Sequence, residues 1–309
     1  MIDYDSHKWR INLLDIKGSM LREIIARVMV CVLWSAGVVA CHRYAYHVGI
    51  PSTVHGLIGV ALGMLLVFRT NASYDRFWEG RKLWGGIVNE TRNLARSGWV
   101  FLHEDEPGLY RRLSRWTAAW PFAVMNQLRG RRGLGPLADE LPDDEVQSVL
   151  SAQHPPLAIT LRLSEVFLEA RRRDRYSDFV QLSLDQNVQQ LVDYMGACER
   201  IRNTPLPFAY VVHLRRALVI YCFSLPFALV ESFGWYAVLA VFLVAYIFFG
   251  VEEIGVQIED PFGIDDNDLP LDAICENIRR NIVGLGEQNP VAALSLEPPP
   301  RAGAPNARR

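Results

Sequence analysis

Four stretches of the chain are too long and too uniformly apolar to be single faces of soluble helices, and each is bounded by charge. The first runs from Ile24 to Cys41 and contains one charged residue, Arg27. The second, Val54 to Phe68, has no Asp, Glu, Lys or Arg, and passes without a proline into the polar run Arg69 to Trp84. With nothing to break it, the pattern predicts one helix that leaves a membrane and continues into water. The third and fourth stretches, Leu214 to Val230 and Trp235 to Gly250, are split only by Glu231 to Gly234, which predicts a tight helical hairpin. Pro226 interrupts the third, so a buried soluble helix is the alternative there; its pairing with the fourth favours a span.

Within the second stretch Val60, Met64 and Phe68 recur every four residues and form one slowly drifting stripe. Gly59 and Gly63 beside it make a small-xxx-small pair that admits a neighbouring helix in lipid. By spacing alone the stripe suits a bundle core or a pore lining equally.

Between Gly85 and Thr204 the chain is soluble in character, with helical periodicity predicting helices near 86–104, 107–129, 143–152 and 157–200. A loop rich in Gly, Pro and charge, 129–144, separates the second from the third, and Asp143 or Asp144 is placed to cap that third helix. Residues 251–272 contain many carboxylates and no Lys or Arg. An amphipathic helix comes next, with Leu271, Ile274, Ile278 and Ile282 on one face. The resulting organisation is a cytosolic segment (1–23), a pair of spans with a cytosolic extension (24–84), a cytosolic helical region (85–209), a second pair of spans (210–250), an acidic loop and helix (251–285), and a Pro/Ala/Arg-rich disordered tail (286–309). Basic residues precede the first and third spans and are missing from the tip between the third and fourth. The positive-inside rule therefore puts both termini in the cytosol of a multi-pass inner-membrane protein.

Composition narrows the picture. The chain has 309 residues, 50% of them hydrophobic, and a formal net charge of -2. That balance argues against a nucleic-acid partner. Five cysteines without CxxC spacing read as reduced and structural. The charged N-terminus reads as a first span that stays in place, not a cleaved signal. His42, His47 and His55 share the external side, but their spacing fits no single helical face, so a metal site is the minor reading and a pH-responsive outer mouth the major one. Tyr74, Phe77, Trp78, Arg81 and Trp84 read as interfacial anchors and subunit packing, with an aromatic ligand box as the minor reading; Phe77 and Arg81 are spaced for a cation–π pair and Glu79 with Lys82 for a surface ion pair. No hydrolase, metalloprotease, phosphate-loop or dinucleotide-binding pattern occurs, which leaves a membrane enzyme as a minor alternative and a non-conducting scaffold as another.

The run Asn71 to Gly85 (NASYDRFWEGRKLWG), with Glu199-Arg200-Ile201 and Thr204-Pro205-Leu206-Pro207-Phe208, and with Glu259-Asp260-Pro261-Phe262-Gly263, resembles the bestrophin family in its bacterial form. The resemblance covers about residues 5 to 285, and three separated motifs in order around four spans make it specific. It implies an all-α integral membrane protein with four transmembrane helices and a large cytosolic helical region, assembled as a homopentamer around a central pore. Its partners would be other copies of itself, the lipid bilayer and permeant monovalent ions.

The family's hydrophobic pore neck falls on Val60, Met64 and Phe68, where bulkier side chains are usual at the first two positions. Its cytosolic aperture falls on Leu182, with Leu184 as the alternative register; a core leucine is the reading without the family. The calcium clasp of the eukaryotic branch falls on Gln257, Asp260, Asp265 and Asp268. The bacterial branch is not generally calcium-gated, so a helix cap and polar turn, with Asp268 as the cap, is preferred and no cofactor is expected. The implied activity is passive conduction of monovalent ions. Cations (Na⁺, K⁺) are favoured by the bacterial character of the sequence, and an anion channel selective for chloride is the alternative.

Overall fold

The computed structural model describes residues 20–287, and every regular element among them is helical. In order these are α1 (Leu21–Tyr44), α2 (Thr53–Leu102), α3 (Pro107–Leu128), a 3₁₀ turn (Gly135–Glu140), α4 (Asp143–Ser151), α5 (Pro155–Arg172), α6 (Asp178–Asn203), α7 (Phe208–Phe233), α8 (Tyr236–Gln257) and α9 (Leu271–Glu287). Two compact units result. One takes in the chain to Val88, Val124–Arg132 and Leu191–Ala273; the other takes in Asn89–Ala123, Gly133–Gln190 and the chain from Ile274. The predicted disordered tail and most of the predicted N-terminal cytosolic segment lie outside the described residues.

The first unit holds the helices long and apolar enough to cross a membrane: α1, the N-terminal part of α2, α7 and α8. Their shared core joins Ile24, Val28 and Cys31 of α1, Leu62 and Leu66 of α2, Leu214, Leu218 and Leu225 of α7, and Val241, Ala245 and Phe249 of α8. The third apolar stretch is thus part of a helix long and apolar enough to cross a membrane, and Pro226 lies inside that unbroken helix. Proline withdraws the N–H that the Cys222 carbonyl would receive. Next to it the Phe223 carbonyl takes the Trp34 indole N–H at 2.9 Å, and Ser224 Oγ donates back to the Ile220 carbonyl at 2.7 Å. The turn between α7 and α8 is shorter than predicted. Helix α7 runs to Phe233, and Gly234, at φ 51°, ends it in the left-handed region that glycine enters without strain.

Helix α2 is the second correction. The predicted break near residue 85 does not exist, and fifty residues run as one helix. Gly80 and Gly86 are what let it pass close to its neighbours. A Cβ on Gly80 would stand 3.0 Å from the Phe262 ring, and one on Gly86 would stand 2.5 Å from the Tyr194 ring.

The second unit is held by aromatic and aliphatic side chains at helical spacing. Trp116, Trp120, Leu113, Ile159, Leu163 and Phe167 are fully buried. Both of these indoles are satisfied, Trp116 by Glu145 Oε2 at 3.2 Å and Trp120 by the Pro156 carbonyl at 3.1 Å. Asp143 does not cap α4: Pro142 occupies that position and Asp143 begins the helix, where its charge still suits the helix dipole. The helix predicted over 157–200 is two helices. Residues 173–177 turn between α5 and α6, with Asp174 at φ 53°. Arg171 grips both sides of this turn through Asp174 at 2.7 Å and Asp178 at 2.6 Å, and the Tyr176 hydroxyl donates to the Phe167 carbonyl at 2.6 Å. On α9 the predicted apolar face is buried at Leu271, Ile278 and Ile282, while Ile274 is half-buried and Cys275 joins the core.

Candidate conduction site

In the first unit α2 has two faces of opposite character. Leu62, Leu66 and Arg69 point into the unit and are almost fully buried, whereas Val60, Met64 and Phe68 are 67%, 57% and 59% exposed. The stripe is therefore no part of the chain's own core, and the bundle-core reading fails for a single copy. Asn71 and Asp75 continue the same helical face as exposed polar residues. Of the two glycines, only Gly59 does what the spacing suggested. A Cβ there would meet the Tyr221 hydroxyl at 2.7 Å, while at Gly63 it would meet nothing within 4 Å.

Directly below Phe68 the helix is fixed by charges that hydropathy patterning did not single out. Arg69, 1% exposed, pairs with Glu259 at 2.8 Å, and the second Glu259 oxygen accepts the Leu206 N–H at 2.9 Å. Farther along α2, Arg76 donates to the carbonyls of Glu259 at 3.0 Å, Ile201 at 2.6 Å and Thr204. One guanidinium thus gathers carbonyls at the end of α6 and just past the end of α8, groups a helix cannot satisfy itself. These contacts tie together the three motifs that carried the family resemblance. The sequence signal for the clamp was present only as motif membership.

In the same unit Glu252 and Glu253, both buried near the end of α8, hold Arg215 at 2.7 Å and Arg27 at 3.0 Å. Arg27, the one charge in the first apolar stretch, thereby has a carboxylate partner and a half-exposed head.

Other expectations are redistributed. His42 and His47 do meet, with ring centroids 4.9 Å apart, and His42 Nδ1 accepts the Val48 N–H. His55 is instead hydrogen-bonded to Ser224 Oγ at 2.9 Å. The cation–π pair in this part of the helix is Lys82 over Trp78 at 5.7 Å, in place of Phe77 with Arg81. Glu79 pairs with Arg200 at 2.9 Å rather than with Lys82. Tyr74 and Trp78 are exposed as anchors would be, but Trp84 is fully buried.

Leu182 lies on an exposed face of α6, 59% accessible, while the alternative Leu184 is buried at 3%. The four clasp positions lie in or beside the loop after α8. Gln257 Oε1 accepts from Asn267 at 2.7 Å, Asp260 Oδ1 from the Phe262 N–H at 3.3 Å, and Asp268 Oδ2 from the Asp265 N–H at 2.7 Å. Asp268 closes this turn and does not cap α9, which is a further correction. Burial pushes its carboxyl up to about 6, opposed by the Asp265 N–H and reinforced by the Asp265 and Asp260 carboxylates. Its Oδ1 is buried without a partner. No three His, Cys, Asp or Glu side chains converge as a metal set among the described residues, so the clasp positions do not form a ready-made ligand cage.

Both the sequence and this arrangement of helices are shared with known proteins. Residues 1–284 match the family model described as Bacterial/Fungal Bestrophin protein. A voltage-dependent anion channel-forming protein of Nostoc is 40% identical over 280 residues, covering 89% of this chain and 91% of the relative. The protein of that description from Escherichia coli K12, YneE, is 33% identical over 281 residues, covering 90% and 92%. Among solved structures, a bacterial bestrophin homolog from Klebsiella pneumoniae superposes with a TM-score of 0.81 at 32% identity, covering 86% of this chain and all of that one.

Proposed function

The chain belongs to the bacterial and fungal bestrophin family, and from that premise we propose that it is a passive ion channel of a bacterial inner membrane. Five copies surround one pore, both termini lie in the cytosol, and α2 of each copy lines the pore. The observation that carries this reading is the exposed apolar stripe Val60, Met64, Phe68 on a helix whose opposite face is locked into its own bundle. Five such stripes make three apolar rings. An ion entering them loses water and gains no ligand, so the neck conducts when it is wide enough to stay wet and closes by dewetting. Leu182 supplies a second, cytosolic constriction; its exposure supports it over Leu184. No calcium step enters the scheme.

The permeant ion we propose is an anion. The cation preference drawn from the bacterial character of the sequence gives way here, because several curated relatives across this family are named anion channel-forming proteins. One observation favours a cation channel as the second reading: Asp75 is exposed on the face of α2 that carries the apolar stripe, past Phe68. The channel reading is tested with purified protein in liposomes. Ion flux is expected in the wild type and a severalfold rise in Met64→Ala and Phe68→Ala. Absence of flux from all three, with the protein correctly inserted, would remove the neck.

A further inference from the structure

Away from the neck, the second unit contains a basic groove to which neither the conduction scheme nor the family match gives a role. Its floor is the C-terminal part of α2 and its wall is α9. Arg92 and Arg96, one helical turn apart and both exposed, line a cavity of about 270 Å³ with Asn93 and Asn281. A second cavity of about 330 Å³, lined by Asn277, Arg280 and Gly284, shares Asn281 and Leu285 with the first. Gly284 helps keep it open, since a Cβ there would have nothing within 4 Å. Among the described residues, no carboxylate lines either cavity.

Most arginines of this unit have a carboxylate within 4.0 Å, whereas Arg92 and Arg96, like Arg111 and Arg172 elsewhere in it, have none among the described residues. Arg112, Arg162, Arg171, Arg173 and Arg175 are each within 3.0 Å of a carboxylate oxygen. Arg279 takes Glu276 in a two-pronged contact at 2.7 and 2.9 Å, leaving Arg280 4.0 Å from that carboxylate. The nearby Glu90 accepts from Asn93 at 3.3 Å. Arg92 and Arg96 have no such carboxylate among the described residues. Two planar forks on one helix face, a third lining the adjoining cavity and carboxamides beside them match an anion with several oxygens in tetrahedral array.

We propose that this groove binds a small soluble phosphate-bearing anion, with Arg92 and Arg96 as its principal ligands and Arg280 as the third. The two adjoining cavities, about 270 and 330 Å³, are of a size for a compact anion. Every residue involved belongs to the second unit, so the site is independent of whether the first unit conducts.

The test is calorimetric titration of the detergent-purified full-length protein with pyrophosphate, at an ionic strength held constant with NaCl. Saturable binding at one site per chain is expected. Arg92→Gln or Arg96→Gln should weaken it roughly tenfold or more, the loss that goes with one charge-assisted hydrogen bond. Arg96→Lys, which keeps the charge but not the fork, should weaken it less, and Arg111→Gln on α3 should leave it unchanged. Both groove arginines are exposed, so their replacement should leave the thermal midpoint without ligand in place. Binding that is equal in the Gln variants and wild type, heats reproduced by equivalent chloride, or no saturable heat would each overturn the proposal.

Discussion

Arg69 shows what a single residue contributes to the anchoring of α2. It follows Phe68 in sequence yet points the other way, into the unit, where its 1% exposure leaves Glu259 as its charge partner. A guanidinium this buried, whose Nε has no partner, is tolerated only while the Glu259 pair is kept. Glu259→Ala would strand that charge and release the Leu206 N–H, at a cost of about 3 kcal/mol or more. Arg200→Ala removes an ion pair of similar length, to Glu79, but both side chains are about half exposed or more, so the cost should stay within about 1 kcal/mol. Thermal unfolding of the two purified variants measures the difference, and equal midpoints would show that the buried pair is not holding α2. The pair was not legible beforehand because its members are 190 positions apart. The stripe on the opposite face was legible, because Val60, Met64 and Phe68 lie on successive turns of one helix and their spacing alone aligns them.

At the scale of elements, continuity was easier to read than interruption. Helix α2 carries no proline, and its change from apolar to polar content did not conceal that the chain runs straight through; only the boundary drawn near Gly85 was wrong. The break between α5 and α6 has no comparable signal. Residues 171–177, RRRDRYS, contain neither Gly nor Pro, and a non-glycine residue, Asp174, takes the left-handed conformation. What stabilises the turn is a set of side-chain contacts across it, which backbone propensity does not signal: the two Arg171 ion pairs and the buried Tyr176, whose hydroxyl reaches back to α5. Burial pushes the Tyr176 phenol up to about 12. In the unfolded chain it ionises near its ordinary value of about 10. Between these values the unfolded state binds fewer protons, so the stability Tyr176 contributes is complete below about pH 10 and is lost as pH rises toward 12. Tyr176→Phe should cost about 1 kcal/mol at neutral pH, for the lost hydrogen bond, and should flatten the alkaline decline in unfolding midpoint. An alkaline decline of equal slope in the variant would assign it to another group.

For the whole molecule the decisive quantity is the sign of the charge carried. In the channel proposed, apolar rings raise the barrier for every ion, so discrimination would fall to charged groups on either side of the neck. Asp75 sits on the exposed face of α2 below Phe68, and in an assembly of five it would repeat as a ring of carboxylates that draws cations and repels anions. Lys82 comes after it on that face, its ammonium over the Trp78 ring, and offers the opposite field. Single-channel or proteoliposome currents in a KCl gradient separate the two outcomes. For the anion channel proposed, the reversal potential should lie on the chloride side of zero, and Asp75→Asn should raise the current and move the potential further toward the chloride limit. Lys82→Gln should lower the current and move the potential back, because each change alters local ion concentration without touching the neck. A reversal potential on the potassium side that collapses toward zero in Asp75→Asn would make Asp75 the selectivity element of a cation channel instead. Both results require five α2 helices around one pore. A native mass five times that of the chain therefore belongs to the same experiment, and a smaller assembly would remove the ring on which either field depends.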